Sequence, residues 1–440
     1  MDGVLISPYL ARAGEGDARL ARRRPAPDNA GMTFIPSQAR PFDVLVVGAG
    51  PVGLSVAAAL KQALGRAASI AIVDPNPGRR DGRLRAVALA AGPRHLLERV
   101  GAWAALEPLA QPILRMTIAD GAVNDAVRLE HLKFDARDGE PLAHMAFNDD
   151  LTSALAEAVV ALGVETIADA VVGFAPGRGA ARIELASGAT LRARLVVAAD
   201  GGRSKLRALA EIPVVGWGAG QSGIVATIAH ERDHEGCAEQ YFLPGGPFAI
   251  LPLPGRQSSI VWNESHADAR TLLALDADDF LHQLEMRFTP RLGAIRVASR
   301  VEAFPLSVSF ARRFVGERIA LVGDAAHSVH PLAGQGLNLG LRDVAALAEV
   351  VADQMRLGLD PGASTTLEAY QRARRFDVVS SSLGMDALNR LFSNDLASLR
   401  FARDLGLRAV DRMPALKSFF MAEAAGAGAR APRLLRGLGL

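Results

Sequence analysis

Residues Arg318–Asp343 read RIALVGDAAHSVHPLAGQGLNLGLRD. A short apolar strand, Ile319 to Val322, stops at Gly323-Asp324; a glycine-rich turn runs from Pro331 to Gly336, and a long amphipathic helix follows. Leu337, Leu341, Val344, Ala348, Val351 and Met355 recur at helical spacing on one face. A carboxylate at a strand end can take sugar-like hydroxyls. A glycine-rich helix start presents bare backbone N–H groups and the positive end of the helix dipole. Together they suit a ligand with a polyol chain and an electron-rich ring. An ordinary strand–loop–helix connection would look similar, so other parts of the chain must decide.

The first decisive segment lies upstream. Phe42 to Val47 is a nearly continuous apolar run, as expected of a buried parallel strand, and enters Gly48-Ala49-Gly50-Pro51-Val52-Gly53. A small-residue helix through Leu64 follows, then a strand from Ser69 to Val73 ending at Asp74, 21 positions after Gly53. This is the dinucleotide fingerprint in its proper context. Gly48 permits the tight turn, Gly50 lets backbone approach a pyrophosphate, and Gly53 lets helix pack closely on strand. Asp74 can accept hydrogen bonds from an adenosine ribose. With this adenosine half in place, the polyol and ring ligand of Arg318–Asp343 is the ribityl-isoalloxazine half of FAD.

At 440 residues the chain exceeds one ordinary core and predicts two or more domains. A formal charge of +2 is too small to argue for nucleic acid. The one cysteine, Cys237, excludes internal disulfides, iron–sulfur ligation by this chain and cysteine zinc sites, in keeping with a reducing, cytoplasmic setting. No His, Cys, Asp and Glu cluster has metal spacing, and no nucleophilic serine elbow is present. No apolar run spans a bilayer: Leu54 to Val73 is broken by Lys61 and Arg66. Residues 1–41, rich in Arg, Ala, Gly and Pro, read as a disordered tail or an extension, with Met32 as the alternative start.

Arg85, ahead of a small-residue segment and a helix around His95 to Val100, is placed to lie against the pyrophosphate, with Arg83 competing for the role. Asn148 to Leu162 reads as a helix capped by Asn148 or Asp149. Val171 to Phe174 and Arg182 to Leu185 form a β-pair. Thr190 to Val197 then leads into a second strand-to-helix turn, Asp200-Gly201-Gly202-Arg203-Ser204. Asp200 is either part of the flavin site or, with Ser204, simply a helix cap. Gln221 to Glu302 is strand-rich, and Phe242, Phe248 and Trp262 there could floor a planar substrate or be ordinary sheet core. Near the C-terminus, Phe392, Leu396, Phe419 and Phe420 interleave with Arg400, Arg403, Arg408 and Lys417, a pattern suited to an anionic lipid surface, to the FAD domain or to a sister subunit.

From Phe42 onward the chain resembles the class A FAD-dependent monooxygenases, specifically the ubiquinone-biosynthesis hydroxylases. The run His330-Pro331-Leu332-Ala333-Gly334-Gln335-Gly336-Leu337-Asn338, continuing to Gly340 and Arg342-Asp343, carries that resemblance. It implies an α/β fold of the para-hydroxybenzoate hydroxylase type. A discontinuous Rossmann-like FAD-binding domain (42–115, 148–215, 303–362) is interleaved with a mainly antiparallel substrate domain (116–147, 216–302). A C-terminal helical region (363–440) completes it. It also implies hydroxylation of the aromatic ring of a polyprenylphenol through a flavin C4a-hydroperoxide, consuming molecular oxygen. The reductant is NAD(P)H or a ferredoxin-type partner.

By the same resemblance Gly48, Gly50, Pro51, Val52 and Gly53 hold the pyrophosphate, Asp74 the ribose, and Asp324 the ribityl chain, with Gly323 giving it room. Gly334, Gln335, Gly336, Leu337 and Asn338 lie along the flavin's pyrimidine edge, and the Pro331 carbonyl stands near the oxygen-reacting face. His327 and His330 read as packing or hydrogen-bonding residues. A polyprenylated substrate implies peripheral contact with the inner membrane, and a quinone-synthesis complex is a further expected partner. Three other readings share these motifs: a hydroxylase of a small soluble aromatic, a flavin reductase of prenyl chains, and a flavin-bearing structural subunit.

Overall fold

The computed structural model describes residues 40–80, 82–83, 85–121, 129–136, 139–243, 245–288, 290–329, 335–392, 426, 428 and 430–440. Met32 with the N-terminal segment, the turn residues 330–334 and the basic stretch 393–425 therefore lie outside the described residues.

The apolar run Phe42–Val47 is the central strand of an eight-stranded sheet and is buried along its whole length. Parallel neighbours flank it, Thr190–Ala198 on one side and Ile70–Asp74 on the other. Ile319–Leu321 adds in parallel beyond the first, and Glu165–Ala168 beyond the second. Strands buried on both faces need continuous apolar sequence, and these have it. Pro51–Leu64 starts with proline at its first turn, where no N–H is missed. Gln335–Arg356 packs beside it, with Leu341, Val344, Ala348 and Val351 fully buried. Gly340 makes that approach possible, since a Cβ there would stand 2.9 Å from Val52 and 3.2 Å from the Gly323 Cα.

A nine-stranded sheet forms the second layer, antiparallel except where Cys237–Leu243 runs parallel to Arg115–Asp120. Its spine is the long strand Val214–His230, paired with Gln257–Ser265 and Glu302–Ala311. The last pairing shifts the expected boundary: residues 303–311, assigned by sequence to the FAD-binding domain, are a strand of the larger sheet. A three-stranded sheet (Ala86–Leu89, Gln111–Ile113, Ala143–Phe147) adjoins both. The expected cap of Asn148–Ala161 also differs. Phe147 is the N-cap and gives no side-chain cap bond, while the Asp149 carboxylate accepts the Arg83 backbone N–H at 3.0 Å.

The end of the chain packs on the nucleotide layer. Leu434 and Leu435 are buried, and the Leu435 carbonyl lies 3.0 Å from His95 Nδ1. Arg433 pairs with Asp353 at 2.6 Å.

Candidate active site

At the C-terminal ends of the parallel strands a cleft of about 1330 Å³ opens between the two large sheets. This is where open α/β sheets bind ligands. Gly48, Gly50, Asp74, Arg85, Asp324, Gly336 and Leu337 all line it, so one wall is assembled from segments nearly three hundred positions apart. The three fingerprint glycines do different work. Gly48 has φ +112°, and a Cβ there would stand 2.3 Å from the Ala199 carbonyl oxygen; at Gly53 it would stand 2.0 Å from the Gly48 carbonyl oxygen. Gly50 has open space where its Cβ would be, leaving room for a phosphate against the backbone.

Asp74 organises this loop before it meets any ligand. One carboxylate oxygen accepts the Ala49 N–H at 2.8 Å and the other the Asn76 N–H at 2.7 Å. Each oxygen keeps a lone pair for a ribose hydroxyl. Packing sets the two arginines apart. Arg83 chelates Asp150 (2.8 and 2.9 Å) and lies 5.2 Å from the Phe147 ring centre, whereas Arg85 lines the cleft.

Asp324 sits in the one-turn helix Gly323–Ala325 and opens onto the cleft. The residue is exposed to the cleft, yet the protein packed around its carboxyl desolvates it and pushes it above the ordinary value, against the lowering influence of His327 and Arg85. The turn beneath it is locked from behind. The Asp343 carboxylate, fully buried, accepts the Gly323 N–H at 2.9 Å, sits 2.6 Å from His327 Nε2 and accepts Arg374 Nε at 2.7 Å. Sequence reasoning quoted Asp343 in its motif but gave it no role. Its position about two helical turns into Gln335–Arg356 is the signal that was available.

Other site residues find partners within the protein. The Asn338 side chain is committed to backbone: Nδ2 donates to the Ala88 carbonyl at 2.7 Å and Oδ1 accepts the Ala90 N–H at 3.0 Å. It staples the helix start to the segment after Arg85. Both Asp200 oxygens are engaged within their own turn, one with the Ser204 hydroxyl at 2.5 Å and one with the Leu206 N–H at 3.0 Å, and Ser204 is the helix cap. Asp200 thus shapes the cleft wall that it also lines, and each oxygen keeps a lone pair. Pro331 and Gly334 lie outside the described residues. Gln335 opens the helix whose next residues, Gly336 and Leu337, line the cleft.

The larger sheet supplies the opposite wall. Gly223, Val225, Gln240, Ala249, Leu251, Val261, Asn263 and Leu306 face the cleft, nearly all small or aliphatic. Phe248 and Trp262 are not its floor. Strand neighbours point to opposite faces, and these two stand on the far side, under the helices His266–Ala274 and Ala277–Glu285 with Leu272, Phe280 and Leu284. Their rings meet edge to face at 6.1 Å. Phe242 pairs with Pro247, a cleft-lining position, and so keeps the cleft side of its strand.

A family model described as FAD binding domain matches residues 41–380. This chain belongs to that FAD-binding family. It also stands among the ubiquinone-biosynthesis hydroxylases, class A FAD-dependent monooxygenases, on the strength of its relatives. Ubiquinone hydroxylase UbiL of Rhodospirillum rubrum is 43% identical over 415 residues, 90% of this chain and 93% of that protein. The 3-demethoxyubiquinol 3-hydroxylase of Escherichia coli is 34% identical over 385 residues, 86% of this chain and 97% of that protein. The fold of this monooxygenase is similar to that of p-nitrophenol 4-monooxygenase PnpA from Pseudomonas putida, with a TM-score of 0.74, 21% identity, and coverage of 89% and 99% of the two chains.

The residues of the monooxygenase fit FAD. An open Gly50 stands at a helix N-terminus, Asp74 is aimed along the strand end, and Arg85 and Asp324 share the continuing groove. Among the described residues, no group of three or more His, Cys, Asp or Glu could hold a metal ion, and no helix is long and apolar enough to cross a membrane.

Proposed function

We propose that the chain hydroxylates the aromatic ring of a polyprenylphenol intermediate in ubiquinone biosynthesis. The observation that carries this reading is the continuity of the cleft: the groove lined by Gly50, Asp74 and Asp324 runs without interruption into a chamber walled by Val225, Leu251, Val261 and Leu306. A largely apolar chamber beside a redox cofactor suits a hydrophobic ring, and two of the named relatives are a ubiquinone hydroxylase and a 3-demethoxyubiquinol 3-hydroxylase. FAD supplies the activation of molecular oxygen and its delivery to the ring.

The protein's own contribution is position and exclusion of water. Gly48 and Gly53 let the loop close tightly, Gly50 brings bare backbone against the pyrophosphate, and Arg85 offsets its charge. Asp74 and Asp324 take ribose and ribityl hydroxyls. The N-terminus of Gln335–Arg356 places backbone N–H groups toward the ring system, where Gly336 leaves space and the helix dipole favours negative charge. Among the described residues, no side chain of the chamber is required as an acid or base. Electrons come from NAD(P)H or a ferredoxin-type donor, and the substrate's prenyl chain calls for peripheral contact with the membrane that holds it.

Deletion of the gene, with lipid mass spectrometry, tests the reading. Ubiquinone should fall and an under-hydroxylated polyprenylphenol should accumulate; complementation with the parent gene should reverse both, and with Asp324→Ala should not. Full rescue by Asp324→Ala would favour a structural subunit over an enzyme. An unchanged lipid profile, in a strain lacking other such hydroxylases, would reject the quinone assignment.

A further inference from the structure

The chamber wall holds one polar group that the fold leaves unsatisfied. Asn263, in the strand Gln257–Ser265, is 2% exposed and lines the cleft, yet its side-chain Oδ1 is buried and receives no hydrogen bond. It lies across from Gly223 and beside Gly246, and the space above both is used: a Cβ at Gly223 would stand 3.3 Å from Oδ1, and one at Gly246 would stand 3.1 Å from the Asn263 Cβ. Two glycines thus make room for an amide whose oxygen no donor among the described residues reaches. Its immediate neighbours on that face, Val261 and Leu306, offer no hydrogen bonds. A buried amide oxygen without a hydrogen bond, in a wall where Gln240 and Ser259 are polar and Val225, Ala249, Leu251, Val261 and Leu306 are not, is costly and points to a partner from outside the chain.

We propose that Asn263 positions the substrate by hydrogen bonding to an oxygen of its aromatic ring, and so selects which ring carbon faces the cofactor. This rests on the aromatic-hydroxylase reading above. The chemistry is specific to an oxygenated ring: the amide carbonyl accepts from a phenolic O–H, and the amide nitrogen donates to a ring oxygen. The terminal torsion of asparagine is soft, so either end of the amide can turn to the chamber. A ring held only by Val225, Val261 and Leu306 could rotate among several orientations; one directional bond removes that freedom. Asn263 is a positioning residue and takes no part in proton transfer.

The test compares two probes on the FAD-loaded protein: a geranyl-substituted phenol, and the same molecule with hydrogen in place of the hydroxyl. Binding is read from the perturbation of the flavin absorbance. The parent should bind the phenol about 10-fold or more tightly than its deoxy analogue, because the amide is left unpaired without the hydroxyl. Asn263→Leu should retain flavin, bind both probes alike and give a mixture of hydroxylation positions or uncoupled oxygen consumption. Should Asn263→Leu fail to retain flavin, Asn263→Ser is read in the same way, and Asn263→Gln should recover part of the discrimination. Discrimination that survives undiminished in the Leu or Ser variant overturns the role of Asn263 alone. Failure of the parent to bind either probe overturns the aromatic-substrate reading, and this proposal with it.

Discussion

His327 and Asp343 form a fully buried pair, Nε2 to Oδ2 at 2.6 Å, directly behind the turn that presents Asp324 to the cleft. The same carboxylate oxygen accepts the Gly323 backbone N–H, and its other oxygen accepts Arg374. One side chain on the helix Gln335–Arg356 therefore ties His327 and the helix carrying Arg374 to the cleft-facing turn. Removing one member of such a buried network strands the others, which is the expensive way to disrupt it.

Asp343→Ala should consequently lower unfolding stability by about 3–5 kcal/mol, read as a reduced urea midpoint at unchanged slope. The pH dependence carries a second signature. Burial pushes the Asp343 carboxyl up, but the charges of His327 and Arg374 and their hydrogen bonds outweigh it and hold the value below the ordinary 3.8. A depressed carboxyl stabilises the fold above its unfolded value and loses that contribution as pH falls through the folded one. Asp343→Asn should show a flatter loss of stability below about pH 4 than the parent.

Asp324 has the opposite sign. Its carboxyl is raised by burial, so in the ligand-free fold its favourable contribution belongs to the protonated form and disappears as pH rises through the folded value. The residue stays open to solvent on its cleft side, which screens part of this penalty, and a ligand hydroxyl donating to the carboxylate relieves it further. Deflavinated Asp324→Asn should melt no lower than the deflavinated parent at pH 7, while its FAD affinity, measured by flavin fluorescence, should fall about tenfold or more.

Gly50 and Gly53 separate binding from folding. Gly53→Ala drives a methyl onto the Gly48 carbonyl and should cost about 1–3 kcal/mol in stability. Gly50→Ala meets no protein atom within 4 Å, so the variant should fold with a Tm close to the parent's. It should nonetheless purify with little FAD, since the methyl enters the space reserved for phosphate.

Phe248 and Val261 make the corresponding test on the larger sheet. Phe248→Ala empties the core under the two outer helices and should cost about 3–5 kcal/mol without altering substrate KM. Val261→Phe, on the cleft face, should retain FAD and stability but raise the KM for a phenolic substrate by about tenfold.

Phe42–Val47, Gly48 through Gly53, Asp74 and the Gly323-Asp324 turn were legible in the sequence with their elements and order. Their meaning is local: continuous apolar runs make buried strands, and glycine spacing reports where backbone must pass close to something. The amphipathic face from Leu337 to Met355 followed from the helical period alone. The strands bearing Phe242, Phe248 and Trp262 were placed correctly as strands, but not as surfaces. A strand's two faces carry equally apolar residues when one packs under helices and the other lines an apolar chamber, so parity alone does not name the wet side. The contest between Arg83 and Arg85 turned on Asp150 and Phe147, more than sixty positions away, and Asn338 and Asp200 found backbone partners that no motif announces.

The sequence by itself therefore determined the nucleotide-binding layer and the order of the cleft-lining segments, because each depends on steric demands written within a few consecutive residues, while the family was legible only as a resemblance carried by residues 330–343. Only the tertiary structure decided which acids face the cleft and which brace it, which face of the larger sheet forms the chamber, and that Asn263 stands in it unsatisfied. Those outcomes depend on which distant side chain reaches a polar atom first, and that is settled by packing.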